Sequence, residues 1–422
     1  MSTISRRGFL QSASLLVGGA YAHSIFGTNL QAAPSFAAKP SFNPEALFLT
    51  WQRDPTTTMT VHWVGDEKEA ASRPIWYAKA GSDDWKNQLW TSRDFPKTDR
   101  KIFRSELTGL EPGTDYQFRV GSDSAEHKFR TMPAKATDTI HFVSGGDSGI
   151  GKHAVMTNHV AAAQAPMFVV MAGDLAYENG LSADTFLTFL KNYSRDLRDD
   201  QKRLIPMLGC LGNHEVVGGY HKTRKEAPFF YSVFDGLFPE TGYAHLDFGD
   251  YLSLIFLDTD HTTPIEGAQT DWLEKTLKER EEFPTVFAFN HVPAYPSFRP
   301  FDGTGDKEGT GEGNRKHWCP LFERYNVDAV LEHHDHTFKR THPLLDGRVN
   351  ENGIIYLGDG SWGKLRRPKS PQQRPYLAAV DEAYHLTLHR IEGKERFHMA
   401  LSDVGRVVDV CATTKRSHRS TK

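Results

Sequence analysis

The fold is decided by residues 167–177, which run Met-Phe-Val-Val-Met-Ala-Gly-Asp-Leu-Ala-Tyr. The apolar run at the start of this stretch is too short for a helix and has the length and composition of a buried strand. Asp174 and Tyr177 follow at the strand end, and a carboxylate and a phenol together suit a hard metal ion. Taken alone, the stretch is better explained by Asp174 capping a following helix and Tyr177 packing in the core.

Four other predicted strands also end in residue types that bind metals, and this changes the interpretation. In an α/β sheet, the carboxyl ends of neighbouring strands meet in one crevice. Any one such strand end could be accidental, whereas five in order along the chain are not. The five strand ends are Gly145-Gly146-Asp147-Ser148-Gly149, Gly173 to Tyr177, Gly212-Asn213-His214-Glu215, Asn290-His291 and His333-His334-Asp335-His336.

The chain divides into two predicted domains with different patterns of secondary structure. Residues 42–133 contain short, aromatic-rich strands separated by Gly, Pro and Asp turns, which predicts an all-β sandwich. Within it, Leu107 to Tyr116 resembles the penultimate turn of a fibronectin type III module. In residues 138–405, apolar strands alternate with helices, which predicts a layered α/β domain with central mixed sheets flanked by helices. Pro206 indicates an edge or bulged strand, and residues 406–422 are predicted to be a C-terminal tail.

Composition narrows the function classes. The 422 residues are 38% hydrophobic and carry a formal net charge of -3, so there is no electrostatic case for binding nucleic acid. The 20 histidines are numerous, and histidine is the commonest metal ligand. The three cysteines are far apart and form no pair motif, so buried thiols are expected rather than a disulfide framework.

The N-terminus predicts export. Ser5-Arg6-Arg7-Gly8-Phe9-Leu10 opens a stretch without charged residues that continues to Lys39 and ends in small residues. Residues 1–37 therefore resemble a twin-arginine signal. The mature protein is expected in the periplasm or outside the cell, delivered by the twin-arginine export machinery, and no other segment could span a bilayer. No oligomeric state is predicted.

The order of the five motifs resembles that of the calcineurin-like metallophosphoesterases. Tyr177 and the fibronectin-like N-terminal domain narrow the resemblance to the purple acid phosphatases. The resemblance implies two metal ions. One would be held by Asp147, Tyr177 and His336, the other by Asn213, His291 and His334, and Asp174 would bridge them.

The donor types suggest which metals fit. Carboxylate and phenolate oxygens are hard donors, so the Asp147/Tyr177/His336 side suits Fe(III). The opposite side, with a neutral amide and two imidazoles, suits Zn, Mn or Fe(II). Two such cations can grip a phosphoryl group and activate a water. The resemblance places His214 facing the substrate, to bind phosphate or to protonate the leaving alkoxide.

Some residues depart from the family pattern or imitate it. His333 stands where the family has glycine, and because it alternates with the ligands it is expected to point away. Lys339 replaces an acid in the same block. Tyr295 is expected to be a packed aromatic. Asp258 and Asp260 resemble a sixth motif, but turn or helix-cap duty is expected for them.

The sequence thus predicts an exported enzyme that hydrolyses phosphate monoesters, in which a metal-bound hydroxide attacks phosphorus and His214 is the acid. Two alternatives stay open. A phosphodiesterase or nucleotide pyrophosphatase could use the same centre. A non-catalytic cell-envelope binding protein could instead recognise a surface ligand through its β-sandwich.

Overall fold

The computed structural model describes residues 35–36, 39–70, 73–136, 139–302, 309–358 and 360–414. The predicted export signal, residues 1–37, therefore lies outside the described residues except at positions 35 and 36. Within the described ranges, no helix is both long enough and apolar enough to cross a membrane.

The N-terminal domain consists of eight strands in two four-stranded antiparallel sheets. The sheets have the orders β1-β2-β6-β5 and β4-β3-β7-β8. Fully buried aromatic and β-branched side chains, such as Val61, Trp63 and Phe118, form the core that holds the strands together. The elements are β1 (Ala46–Thr50), β2 (Met59–Gly65), α1 (Glu67–Ala70), β3 (Ile75–Lys79), β4 (Lys86–Gln88), β5 (Thr91–Asp94), β6 (Lys101–Leu107), β7 (Asp115–Val120) and β8 (His127–Arg130).

The second domain is α/β. Its strands are β9 (Ile140–Gly145), β10 (Val169–Ala172), β11 (Met207–Cys210), β12 (Ala244–Phe248), β13 (Leu252–Leu257), β14 (Thr285–Asn290), β15 (Ala329–Glu332), β16 (Phe338–Thr341), β17 (Leu344–Leu345), β18 (Arg348–Val349), β19 (Tyr356–Gly358), β20 (Leu377–Asp381), β21 (His385–Glu392), β22 (Glu395–Ser402) and β23 (Val407–Thr414). Its helices are α2 (Lys152–Ala163), α3 (Ala183–Asp196), α4 (Pro228–Phe234), α5 (Ala268–Glu279), α6 (Glu312–His317) and α7 (Cys319–Arg324).

Two mixed sheets form the centre of this domain. One has six strands in the order β11-β10-β9-β21-β22-β23, and the other has seven in the order β12-β13-β14-β15-β19-β16-β20. Buried rings join the sheets, since Phe168 of the segment before β10 stacks on Phe248 of β12 with centroids 4.8 Å apart. The predicted sheet-rich N-terminal domain and layered α/β domain are both confirmed.

The two domains share packing and ion pairs. The Trp51 ring lies 5.9 Å, centroid to centroid, from both Phe168 and Phe248 of the α/β domain. Asp235, just after α4, pairs with Arg93 and Arg104 of the sandwich. The sandwich is therefore fixed against the α/β domain instead of being tethered to it by the linker alone.

Two details concern the predicted boundaries. The strand β11 lies at the edge of its sheet and begins directly after Pro206, as the proline indicated. The C-terminal boundary of the domain differs from the predicted one. Residues 407–414 form β23, which pairs with β22 along its length, so the sheet continues past the boundary predicted at residue 405.

Candidate metal centre

The five predicted motifs follow strand ends in two sheets that face each other. Asp147, Asp174 and Asn213 come after β9, β10 and β11, which are parallel neighbours in the six-stranded sheet. The fourth and fifth motifs follow β14 and β15, which are parallel neighbours in the seven-stranded sheet. The sequence argument placed all five along one sheet edge. In the structure they converge because the carboxyl ends of both parallel sets open on the same side.

The first group of ligand atoms belongs to Asp147, Asp174 and His336, whose ligand atoms all lie within 4.8 Å of one another. Tyr177 joins this group. Its Oη lies 3.1 Å from Asp147 Oδ1 and 2.9 Å from His336 Nε2. Asp147 Oδ2 accepts the backbone N–H of His334 at 2.8 Å, so its Oδ1 is the atom turned toward the group.

The second group belongs to Asp174, His291 and His334, again with ligand atoms within 4.8 Å of one another. His334 Nδ1 lies 3.2 Å from His291 Nε2, which is itself 3.2 Å from Asp174 Oδ2. His291 Nδ1 contacts the carbonyl oxygen of Ala172 at 3.1 Å. That bond fixes the ring with Nε2 facing Asp174.

Asp174 takes part in both groups. Its Oδ1 accepts the backbone N–H of His214 at 2.8 Å. Its Oδ2 has only the ion-pair contact with His291 and, among the described residues, makes no hydrogen bond of good geometry, and the buried Oδ1 of Asn213 has no partner there. Buried oxygens are normally paired, and unpaired ones point to an absent ion or water. The donor set therefore fits a pair of cations, with Asp174 Oδ2 and Asn213 Oδ1 as two of the atoms left for them.

The backbone at the site is strained. Five of the seven predicted ligands have φ between 53° and 72°, a region that non-glycine residues seldom adopt: Asp147, Asp174, Tyr177, His334 and His336. Such conformations cost about 1–3 kcal/mol each and persist where the surroundings enforce them. Gly173 (φ 90°) has no alternative, since a Cβ there would lie 2.4 Å from His291 Nδ1.

The electrostatics of the site favour cations. Burial and the Asp147 carboxylate raise the pKa of Tyr177, so the phenol keeps its proton unless a cation displaces it. Burial alone would lower the pKa of His291, but the Asp174 carboxylate raises it to about 9. Burial would raise the pKa of Asp174, but the charge of His291 and its hydrogen bond to Asp174 lower that pKa. A metal ion would take over the charge that the His291 proton supplies, so metal binding should release protons.

His214 lies at the open side of the centre. Its Nε2 is 3.9 Å from Asp174 Oδ2, and its ring packs against the Tyr177 ring with centroids 4.3 Å apart. Its Nδ1 contacts Asn179 Oδ1. Because an amide oxygen can only accept, Nδ1 carries the hydrogen and Nε2 is the nitrogen turned to the centre. The side chain is 34% exposed, so a substrate can reach it.

Two functional residues were missed by the sequence analysis. Glu215 was quoted in the third motif without a role. Its buried carboxylate accepts the N–H groups of Gly212, Asp174 and Leu175 at 2.7–2.8 Å, which ties the second motif to the third. Asn179, two residues after Tyr177, orients His214. An acid two residues after the predicted ligand Asn213 was the available signal for Glu215, whereas nothing in the sequence marked Asn179.

The residues that depart from the pattern behave as expected. His333 is buried, and its Nδ1 contacts the carbonyl oxygen of Asn290 at 3.0 Å. Asp258 accepts the backbone N–H groups of His261 and Thr262, which is a turn role. Tyr295 is buried and packs edge-on against Tyr356. Lys339, which replaces an acid, is itself buried and pairs with Glu332 at 2.7 Å.

Comparisons with known proteins agree with this geometry. A family model described as purple acid phosphatase, N-terminal domain, matches residues 44–143, and one described as calcineurin-like phosphoesterase matches residues 134–338. Purple acid phosphatase 21 of Arabidopsis thaliana is 26% identical over 64% of this chain and 62% of its own length. Acid phosphatase type 7 of Mus musculus is 25% identical over 91% of this chain and 93% of its own length. The match thus spans less than two thirds of the plant protein and nearly all of the mouse protein.

Solved structures show the same fold. A purple acid phosphatase from yellow lupin (Lupinus luteus) seeds aligns with a TM-score of 0.71 at 17% identity, covering 87% of this chain and 74% of that one. The two family models together span both domains, from residue 44 to residue 338. Both models and both relatives are those of phosphoesterases, which supports an enzyme over the binding-protein alternative. The chain is therefore a purple acid phosphatase-like member of the calcineurin-like phosphoesterases, a metal-dependent phosphoric ester hydrolase.

Proposed function

We propose that this enzyme hydrolyses phosphate monoesters at a two-metal centre. Asp147, Tyr177 and His336 would hold one ion, for which Fe(III) is the best match to the donors. Asn213, His291 and His334 would hold the other, which we propose is Zn, Mn or Fe(II). Asp174 would be shared by the two ions, since it belongs to both groups of candidate ligands.

The shared position of Asp174 is the observation that carries this proposal. It contributes to both ligand groups from a fully buried site, and its neighbour Gly173 allows His291 to approach closely. A single metal site would not need the second group of ligands, and a purely structural cluster would not leave the buried Asn213 Oδ1 unpaired.

The residues around the pair have distinct roles. Two bound metal ions would supply positive charge to neutralise a phosphoryl group and to activate a water. His214, held by Asn179, presents Nε2 to the same space and is placed to donate a proton to the leaving alkoxide. Burial lowers the pKa of His214, while Asp174 raises it and so offsets part of that effect. Glu215 keeps Asp174 and Asn213 in fixed positions relative to each other.

Metal analysis together with a visible spectrum tests the centre. We expect two ions per chain and a tyrosinate-to-iron charge-transfer band that disappears in Tyr177→Phe. Tyr220→Phe is the matched control, because Tyr220 Oη contacts His334 Nε2 at 3.3 Å but belongs to neither ligand group. Asp174→Asn should abolish paired metal binding. A colourless active enzyme would contradict the Fe(III) assignment and leave the phosphoesterase assignment in place.

Substrate preference is tested with p-nitrophenyl phosphate and bis(p-nitrophenyl) phosphate in parallel. We expect the monoester to be hydrolysed with the higher kcat/KM. Turnover confined to the diester would favour a phosphodiesterase or nucleotide pyrophosphatase with the same centre.

We also propose export by the twin-arginine route to the periplasm or the exterior. The support for this is the sequence of residues 1–37, in particular Arg6-Arg7. Replacing both arginines by lysine should keep the protein in the cytoplasmic fraction while the parent is exported. Equal export of both forms would refute the route.

A further inference from the structure

Residues 362–366 run along the rim of the centre, and their backbone is bonded to its ligand-bearing loops. The N–H groups of Trp362 and Gly363 donate to the carbonyl oxygens of Gly146 and Asp147 at 3.0 and 3.1 Å. The N–H of Arg366 donates to the carbonyl oxygen of His336 at 2.7 Å. The segment is thus held against two ligands of the same proposed ion.

Lys364 projects over the ligand tyrosine. Its Nζ lies 4.2 Å from the centroid of the Tyr177 ring, a cation–π contact. A Cβ on Gly149 would lie 3.1 Å from Lys364 Cε, so the chain is closely packed there. In the part of the chain that the structure describes, no carboxylate pairs with this ammonium group. Within those residues, the positive charge at the rim therefore has no ion-pair partner.

Arg366 adds a second cation of the same kind. Its guanidinium lies 5.0 Å from the centroid of the exposed Phe298 ring, and among the described residues no carboxylate pairs with it. Burial and then the nearby Arg299 lower the pKa of Arg366, so the two guanidinium groups repel each other. Arg299 itself pairs with Asp335 at 3.0 Å. Asp335 and, to a smaller extent, Asp147 are the carboxylates that act on Arg366, and Asp335 is already paired with Arg299.

This arrangement contrasts with other cations of the same domain. Lys339 pairs with Glu332, and Arg340 with Asp409, each within 2.7 Å. A clustered excess of positive charge costs stability unless an anion neutralises it. The guanidinium group of arginine and the ammonium group of lysine are side-chain groups that bind phosphate. At a phosphoesterase centre, the anion that arrives next to them is part of the substrate.

We infer that Lys364 and Arg366 form a subsite for a second anionic group of the substrate, which makes phosphate esters bearing a second phosphate the favoured class. This inference rests on the proposed function. The first phosphate occupies the space between the ligand groups, while the second lies outward, along the rim on the Tyr177 side.

Turnover of a matched substrate pair tests the subsite. Fructose 6-phosphate and fructose 1,6-bisphosphate differ by one phosphate, and the measured quantity is the ratio of their kcat/KM values. The parent should favour the bisphosphate, and Lys364→Gln and Arg366→Gln should each lower the ratio about tenfold. Arg367→Gln is the control, because Arg367 is 88% exposed and lies 4.0 Å from Glu382. Its ratio should equal that of the parent.

Binding provides a readout that does not depend on turnover. Propane-1,3-bisphosphonate and propylphosphonate are titrated calorimetrically into metal-loaded protein. The bisphosphonate should bind more tightly to the parent, and the two subsite variants should lose about tenfold of that advantage. Unchanged ratios in both assays would overturn the subsite. Absence of turnover of every ester would refute the proposed function instead, while the calorimetric ratio would still decide the subsite.

Discussion

Replacing Glu215 by Gln should weaken both the fold around the centre and its hold on metal. The Glu215 carboxylate is fully buried, and its two oxygens accept three backbone N–H groups. An amide keeps only one acceptor oxygen. That oxygen can replace Oε2 and retain the bonds from Gly212 and Asp174, but the NH2 group then faces the N–H of Leu175.

The magnitude follows from this count. One buried donor left unpaired costs about 1–3 kcal/mol, and bonds to a neutral acceptor are weaker than those to a carboxylate. The free energy of unfolding should therefore fall by about 2–4 kcal/mol. Since Asp174 and Asn213 flank the bonded groups, metal affinity should fall by roughly 10–100-fold, as is typical when a partner of a ligand is changed.

Urea unfolding of the metal-free protein measures the first effect, and calorimetric metal titration measures the second. Glu226→Gln is the matched control, because Glu226 caps a similar short turn by accepting the N–H and hydroxyl of Thr223, yet it is not buried. Its unfolding midpoint should stay close to that of the parent. Burial and the Asp174 carboxylate raise the pKa of Glu215 to about 8. Unfolding is therefore measured at pH 9, where Glu215 is ionised, and a variant as stable as the parent at that pH would refute our reasoning from a carboxylate.

Two further predictions concern the orientation of His214 and the protonation of His398. Asn179→Ala should lower kcat by roughly 10–100-fold with a smaller change in KM, because the His214 ring loses the partner that orients it. Asn179→Asp keeps the acceptor oxygen and should retain most of the activity. Equal losses of activity in both variants would contradict this role. Burial lowers the pKa of His398 to about 3 in the folded protein, whereas in the unfolded chain its pKa is near 6.5. Between these two values the unfolded state binds more protons than the folded state. The free energy of unfolding therefore falls as the pH drops through this range. This histidine should account for about 2 kcal/mol of the stability lost between pH 7 and pH 5. His398→Gln should therefore show a shallower pH dependence of unfolding than the parent, with the exposed His159→Gln as control, and identical slopes in all three proteins would refute the assignment.

The five motifs could be found in the sequence because each is local. A strand of four to six buried apolar residues followed by a polar turn is recorded in consecutive positions, as in Met167 to Tyr177. The division into two domains was predictable for the same reason, since strand spacing and the alternation of strands with helices are short-range patterns. Pro206 predicted an edge or bulged strand, and β11 is an edge strand.

The arrangement of the motifs was not predictable in the same way. The sequence suggested one sheet edge, whereas the structure distributes the motifs between two facing sheets, since β12 and β13 intervene and begin the second sheet. The residues of β23 were assigned to the C-terminal tail, and only their pairing with β22 shows that they belong to the sheet.

For this protein, the sequence by itself determined which residue types end each strand, and therefore that a metal centre with Asp174 and Tyr177 was to be expected. The tertiary structure alone decided how those residues are used. It showed that Asp174 belongs to both groups of candidate ligands, that Glu215 and Asn179 hydrogen-bond to residues of the centre, and that Lys364 and Arg366 lie at its rim. The physical reason is that strand formation depends on neighbours in sequence, whereas burial, hydrogen bonding and charge compensation depend on residues brought together from distant parts of the chain.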